Sequence, residues 1–198
     1  MNNIQKRSVI ISFDIEADGP APLVNSCLMI GMCVLDCSID PIIKHNFDRF
    51  ILSRKEWCLK EQEGCVPDKE CMEEFWSKNM TIYNYIKQNE KDVRIVMQEF
   101  NDWIIEMNTK YNIVNWVAKP SSYDWQWINC LFHKYKPVNP VKLPFSIRCL
   151  SSIIKTCEMA NIKLSNLKHD TLSHTHNALD DCIEQGYMYV RILHQLKH

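Results

Sequence analysis

The sequence predicts an α/β domain whose sheet is mixed, an antiparallel three-strand meander joined by parallel strands, with helices on its faces. Three observations predict it. Residues 9–13 form a continuous apolar run rich in β-branched side chains, the signature of a strand covered on both faces. Val93, Val96, Met97, Phe100, Trp103, Ile104 and Met107 recur at helical spacing. Strands come first, then helix, strand, helix and helix, an order that places helices against a sheet.

Each element has its own local signal. The run 9–13 leads into Asp14-Ile15-Glu16, and the turn-forming Gly19-Pro20-Ala21-Pro22 separates it from a second apolar run at 27–35. After a connection at 36–41, residues 42–52 are the expected third strand. Residues 53–91 mix Trp57, Phe75, Trp76, Tyr83 and Tyr85 with charges in no single period, which suggests short helices and loops. Asp92 stands where it can cap the helix that begins at Val93. A buried strand is expected at 113–118, ended by Lys119-Pro120-Ser121-Ser122, because proline removes a ladder donor and serines favour a turn. Helices are expected at about 123–135, from Ile147 through Cys157, and from Ala178 to Leu196, the last with Asn177 or Thr175 as its cap.

The chain has 198 residues and is 46% hydrophobic, enough for one sizeable core and short for two, so a single domain spanning 1–198 is expected. Its 23 basic and 24 acidic residues leave a net charge of -1. Proteins that hold long duplex tracts by counterion release carry a clear basic excess, so any nucleic acid is expected to be gripped over a short end. No apolar run reaches the roughly 18–20 residues of a membrane span, and the N-terminus lacks the apolar centre of a signal peptide. With ten scattered cysteines and no C-x-x-C pair, the expectation is a reducing intracellular compartment such as the cytoplasm, with reduced thiols. Cys58, Cys65 and Cys71 are read as ordinary packing residues rather than a zinc site.

Three segments carry candidate chemistry. Asp14 and Glu16 are two apart on a strand, so both project from one face at its end and can share a cation. Asp124 follows an apolar strand and a turn. His176 precedes a helix whose first turn holds Asp181. On a continuous helix that spacing would splay the two by about 140°, whereas a histidine outside the helix can turn back toward the aspartate. Taken singly, each has a plain structural reading: a solvated strand end, a helix N-terminal charge, a cap.

Together the segments resemble the DEDDh 3′-to-5′ exonuclease family, which includes the proofreading subunit of a bacterial DNA polymerase, ribonuclease T and oligoribonuclease. Phe13-Asp14-Ile15-Glu16-Ala17-Asp18-Gly19 is similar to its first motif, Ser122-Tyr123-Asp124 with Leu131 to its second, and His176-Asn177-Ala178-Leu179-Asp180-Asp181 to its third. Ile30-Gly31 resembles its second strand, and Phe75-Trp76 followed by the long helix ending near Trp103-Ile104 looks like small bacterial and phage exoribonucleases. Tyr123 stands where phenylalanine is common, and Met29 near where the family often has a polar residue.

The resemblance implies a ribonuclease H-like fold and hydrolysis of phosphodiester bonds at the 3′ end of single-stranded nucleic acid, RNA or short oligonucleotides in preference to DNA. It also implies two divalent cations, Mg²⁺ or Mn²⁺, held by Asp14, Glu16, Asp124 and Asp181. In the family the residue matching Asp14 bridges both ions, those matching Glu16 and Asp181 hold the ion that activates water, and the one matching Asp124 supports the other. His176 is the implied general base, while Asp18, Asp180, His169 and His174 fall outside the register. Carboxylates suit such ions, which are hard and prefer oxygen. Tyr123, Trp125 and Trp127 are candidate base-stacking residues and Lys119 a candidate phosphate contact. Some relatives pair, so a homodimer is a further expectation. The alternatives are a DNA-trimming or proofreading exonuclease, a non-catalytic nucleic-acid-binding module on the same fold, and a structural interaction protein.

Overall fold

The structure is a computed structural model, and it describes residues 6–42, 47–172 and 174–197. Its sheet has five strands in the order β3-β2-β1-β4-β5. The central strand β1 (Ser8–Ala17) is buried along its length except at Ser8. It pairs antiparallel with β2 (Cys27–Asp36) and parallel with β4 (Asn112–Ala118). This is the mixed sheet the sequence predicts, an antiparallel meander joined by parallel strands.

The period-two alternation of β1 divides its side chains between two cores. Val9, Ile11, Phe13 and Ile15 pack on one face beneath α3 (Val93–Lys110) and α4 (Ser121–Tyr135). Ile10 packs on the other face beneath α5 (Leu150–Met159) and α6 (Ala178–Gln195). Asp14 and Glu16 share the parity of Ile10, so they lie on the α6 side.

Helix starts are fixed by side-chain caps. Asp92 accepts from the Arg94 backbone N–H at 2.8 Å, and Asn177 accepts from Leu179 and Asp180 at 2.9 and 3.3 Å, satisfying donors that would otherwise lack partners. Of the two caps expected for the last helix, Asn177 is the one used, while Thr175 Oγ1 accepts from the Asn177 N–H at 3.3 Å. Gly31 decides how close α6 comes to the sheet. It lies opposite Asp14 in the ladder, and a β-carbon there would meet the backbone carbonyl carbon of Ala178 at 2.2 Å. Only a residue without a side chain lets the start of α6 rest on β2.

Two expected boundaries are corrected. The third strand is β3 (Ile51–Cys58), preceded by the short helix α1 (Phe47–Phe50), rather than 42–52. Residues 43–46 of the expected strand lie outside the described residues. The misplacement has a physical cause: β3 is an edge strand, and edges carry charges such as Arg54, Lys55 and Glu56 that mask the apolar pattern. Ile147 likewise precedes the helix, because Arg148–Cys149 forms β5 against the end of β4 and α5 starts at Leu150.

The stretch without a clear period contains a π-helical turn (Cys71–Phe75), a 3-10 turn (Trp76–Lys78) and α2 (Met80–Asn89). It is pinned to the sheet by the Trp76 indole, which donates to the Ala17 carbonyl at 3.0 Å. The cysteines are free thiols; Cys65 donates to the Leu23 carbonyl and Cys71 to that of Ala17. Among the described residues no helix is long and apolar enough to cross a membrane.

Candidate active site

Three separate segments deliver four acids to one place. Asp14 and Glu16 come from the end of β1, Asp124 from the first turn of α4, and Asp181 from the first turn of α6. A cleft of about 600 Å³ is lined by all four, together with His174 and His176. Carboxylate oxygens of Asp14, Glu16 and Asp181 lie within 4.8 Å of one another. Asp124 stands outside that tight trio but borders the same cleft, and its charge raises the proton affinity of both Asp14 and Glu16.

The acids are buried, at 8% exposure for Asp14 and Glu16, 2% for Asp124 and none for Asp181. Burial is the main cause that raises all four above the ordinary carboxylate range, pushing Asp124 up to about 7, and mutual repulsion adds to it for Asp14 and Glu16. Protein donors answer only part of this charge. The Gln185 amide donates to Asp14 Oδ1 at 2.6 Å, and the Thr175 backbone N–H donates to Asp181 Oδ1 at 3.0 Å. Asp124 Oδ2 and Asp181 Oδ2 are buried without a hydrogen-bond partner. Packed acids with unfilled oxygens, and with no lysine or arginine paired to them among the described residues, fit a divalent metal, whose binding relieves the repulsion.

His176 sits just before α6 in a left-handed backbone conformation, φ 57°, a conformation that costs a non-glycine residue roughly 1–2 kcal/mol. The loop that imposes it is tied down at Thr175 and Asn177. Burial and the neighbouring His174 lower the proton affinity of His176, although Asp181 opposes them. The balance favours the neutral ring. It stands edge-on to Phe75, centroids 4.8 Å apart.

A profile of the 3′-5′ exoribonuclease Rv2179c-like domain matches residues 10–193. The chain belongs to this family. The Rv2179c-like chain also shares its fold with solved nucleases. The nuclease domain of 3′hExo, described as a DEDDh family member bound to rAMP, superposes with a TM-score of 0.59 at 14% identity, covering 98% of this chain and 94% of that one. A 3′-exonuclease described in 3′-end-specific recognition of a histone mRNA stem-loop gives 0.61 at 14% identity, covering 97% and 84%. A full-length 3′-exonuclease gives 0.58 at 14% identity, covering 96% and 61%. No curated protein matches the chain. Identities this low establish the shared fold, and the family match establishes membership among 3′-5′ exonucleases, with DEDDh nucleases as users of divalent metal ions.

Of the expected substrate contacts, Lys119 and Tyr123 line the cleft, and the Tyr123 hydroxyl donates to the Gly19 carbonyl at 3.2 Å. Trp125 and Trp127 do not line it. Trp125, about 100° around the helix from Asp124, packs edge-on to Phe13 and Trp116, and Trp127 is buried against Tyr123. Asp18 accepts from the Ser26 backbone N–H at 2.5 Å, a local bond away from the metal-ready trio.

Gln185, which bonds Asp14, and the opposite wall of the cleft escaped sequence reasoning, and His174 lies at the site despite falling outside the motif register. Gln185 is one turn beyond Asp181, a spacing that could have flagged it. His174 lies against Asp181, Nδ1 to Oδ2 3.2 Å, and the pattern H-x-H with an aspartate five residues on was its available signal. Asp68, Glu70, Glu74 and Phe75 form the opposite wall, in a segment with no periodicity to read.

Proposed function

We propose that this chain is a single-domain 3′-to-5′ exonuclease that removes nucleotides from the 3′ end of single-stranded RNA or short oligonucleotides. The observation that carries the reading is the meeting of four buried acids from three segments, with unfilled oxygens, beside the His176 imidazole. Two divalent cations, Mg²⁺ or Mn²⁺, held by Asp14, Glu16, Asp124 and Asp181, would stabilise the charge that develops on the attacking and leaving oxygens.

The remaining work falls to the chain's own groups. Neutral His176 accepts a proton from the attacking water as its oxygen bonds to the terminal phosphorus. The phosphorus–O3′ bond breaks, leaving a new 3′ hydroxyl on the shortened strand and a nucleoside 5′-monophosphate. Gln185 and the Thr175 N–H hold Asp14 and Asp181 in fixed orientations, the support that site acids need. Among the described residues Lys119 is the one lysine or arginine lining the cleft, against the three further acids of the opposite wall. A cleft so acidic suits a short stretch of phosphates rather than a long duplex. RNA is favoured by the family description and by relatives described with rAMP and a histone mRNA stem-loop.

End-labelled RNA and DNA incubated with Mg²⁺ or Mn²⁺ test this directly. A descending ladder, halted by chelator and by a blocked 3′ end, is expected, with RNA degraded faster. Binding without degradation would make the chain a nucleic-acid-binding module instead. His176→Ala should lose far more activity than His174→Ala; equal losses would remove His176 from its role as base.

A further inference from the structure

We propose that His174, His176 and Asp181 form a second, nitrogen-rich metal site that takes Zn²⁺ or a similar transition metal and, when filled, turns the exonuclease off.

Ligand atoms of these three residues lie within 4.8 Å of one another, as do those of Asp14, Glu16 and Asp181. Asp181 belongs to both groups, so the two sites compete for one carboxylate. Their chemistry differs. The first is all oxygen and suits Mg²⁺ or Mn²⁺; the second offers two imidazoles and one carboxylate, a donor set preferred by zinc.

Several details prepare the second site. Asp181 Oδ2 has no hydrogen-bond partner and lies 3.2 Å from His174 Nδ1, while Oδ1 is held by the Thr175 N–H. The imidazoles of His174 and His176 are 4.6 Å apart between centroids. Glu184, on the next turn of α6, places Oε2 3.8 Å from His174 Nδ1 and is available as a fourth donor. Two donors each about 2.1 Å from one ion can lie up to about 4.2 Å apart, so small rotamer adjustments close the group on a zinc ion. His174 is 59% exposed at its side chain, which gives the ion a path from solvent.

Zinc held there occupies the His176 ring and draws on Asp181, removing a base and a metal-binding acid together. The inhibitory consequence rests on the nuclease reading above, whereas the binding itself does not.

The test titrates Zn²⁺ against a chromophoric chelator into the wild-type chain, His174→Ala and His174→Gln. Both variants alter an exposed side chain, and circular dichroism checks that they fold. The ten cysteines give the same background in all three proteins. Loss of a direct ligand should weaken one site by at least about 10-fold, the lower end of what loss of an outer partner does. Equal zinc affinity in all three proteins overturns the site. In a second arm, nuclease activity at fixed Mg²⁺ is followed as Zn²⁺ is added. The half-inhibitory zinc concentration should rise at least about 10-fold in the variants. A weakened site with unchanged inhibition overturns the link to activity. A wild-type chain without nuclease activity refutes the proposed function, and the chelator titration still decides the site.

Discussion

The two walls of the cleft are built differently. One carries its acids on β1, α4 and α6, the regular elements of the fold, each carboxylate buried and some oriented by bonds from Gln185 and Thr175. The other is a π-helical turn and its approach, with Asp68, Glu70, Glu74 and Phe75 at partly or fully exposed positions. On the proposed reading, chemistry that needs sub-ångström placement falls to the regular wall, and contacts that sort substrates would fall to the irregular one.

The comparison breaks most sharply at Asp14. Asp14→Asn should lower activity by more than about 1,000-fold, since about 4 kcal/mol of transition-state stabilisation corresponds to that factor. The same change should raise the melting temperature of the metal-free protein by removing a buried repulsion, a gain absent when Mg²⁺ is present. Activity within 10-fold of wild type at equal folding would show that the rigid wall is not the reactive one.

Gly31→Ala tests whether the wall's spacing matters. A β-carbon there pushes the start of α6 away from β2 and should cost about 1–3 kcal/mol of stability. Activity should fall about 100-fold, because an ångström of misplacement has that effect. Thermal melts and single-turnover rates read the two consequences separately.

Metal and pH sharpen the same contrast. Asp124 has its proton affinity raised from 3.8 to about 7, so the metal-free folded state binds more protons than the unfolded chain. Stability from this group is complete below the unfolded value and is lost as pH rises through about 7. Melting of the metal-free protein should therefore be lower at pH 8 than at pH 5. Mg²⁺ at about 100 times its Kd should add about 2.7 kcal/mol at pH 8 and much less at pH 5. A metal effect independent of pH would contradict the placement of the ion among these acids.

The smallest effect belongs to the irregular wall. Phe75→Ala should change KM a few-fold, on the order of 1 kcal/mol for one ring contact, with kcat within a factor of about three. A loss concentrated in kcat would move Phe75 to the reactive side, through its contact with His176.

Legibility in the sequence followed the same divide. β1 has an unbroken apolar run and α6 a strong period with a recognisable cap, so the acids they deliver could be placed from spacing, and Asp124 at the start of α4 from likeness to a known motif. β3 was misplaced because an edge strand exposes the charges that hide its pattern. Trp125 and Trp127 pack against the core and do not line the cleft, since proximity to Asp124 in sequence does not fix which groups a side chain meets. His174 and Gln185 carry only weak local signals, the H-x-H pattern and the one-turn spacing from Asp181, and gain their significance from contact with Asp181 and Asp14.

The edge position of β3 carries one last implication. Among the described residues its outer edge has no strand neighbour, although the Cys58 carbonyl at its end accepts from the Lys91 N–H, and an unpaired edge is the geometry that invites strand addition from another molecule. Arg54, Lys55 and Glu56 stand at the middle of that edge, where a docking strand would have to strip water from them. Variants that neutralise these three side chains should aggregate at high concentration while keeping their cleft intact, separating the guard against self-association from the machinery of cleavage.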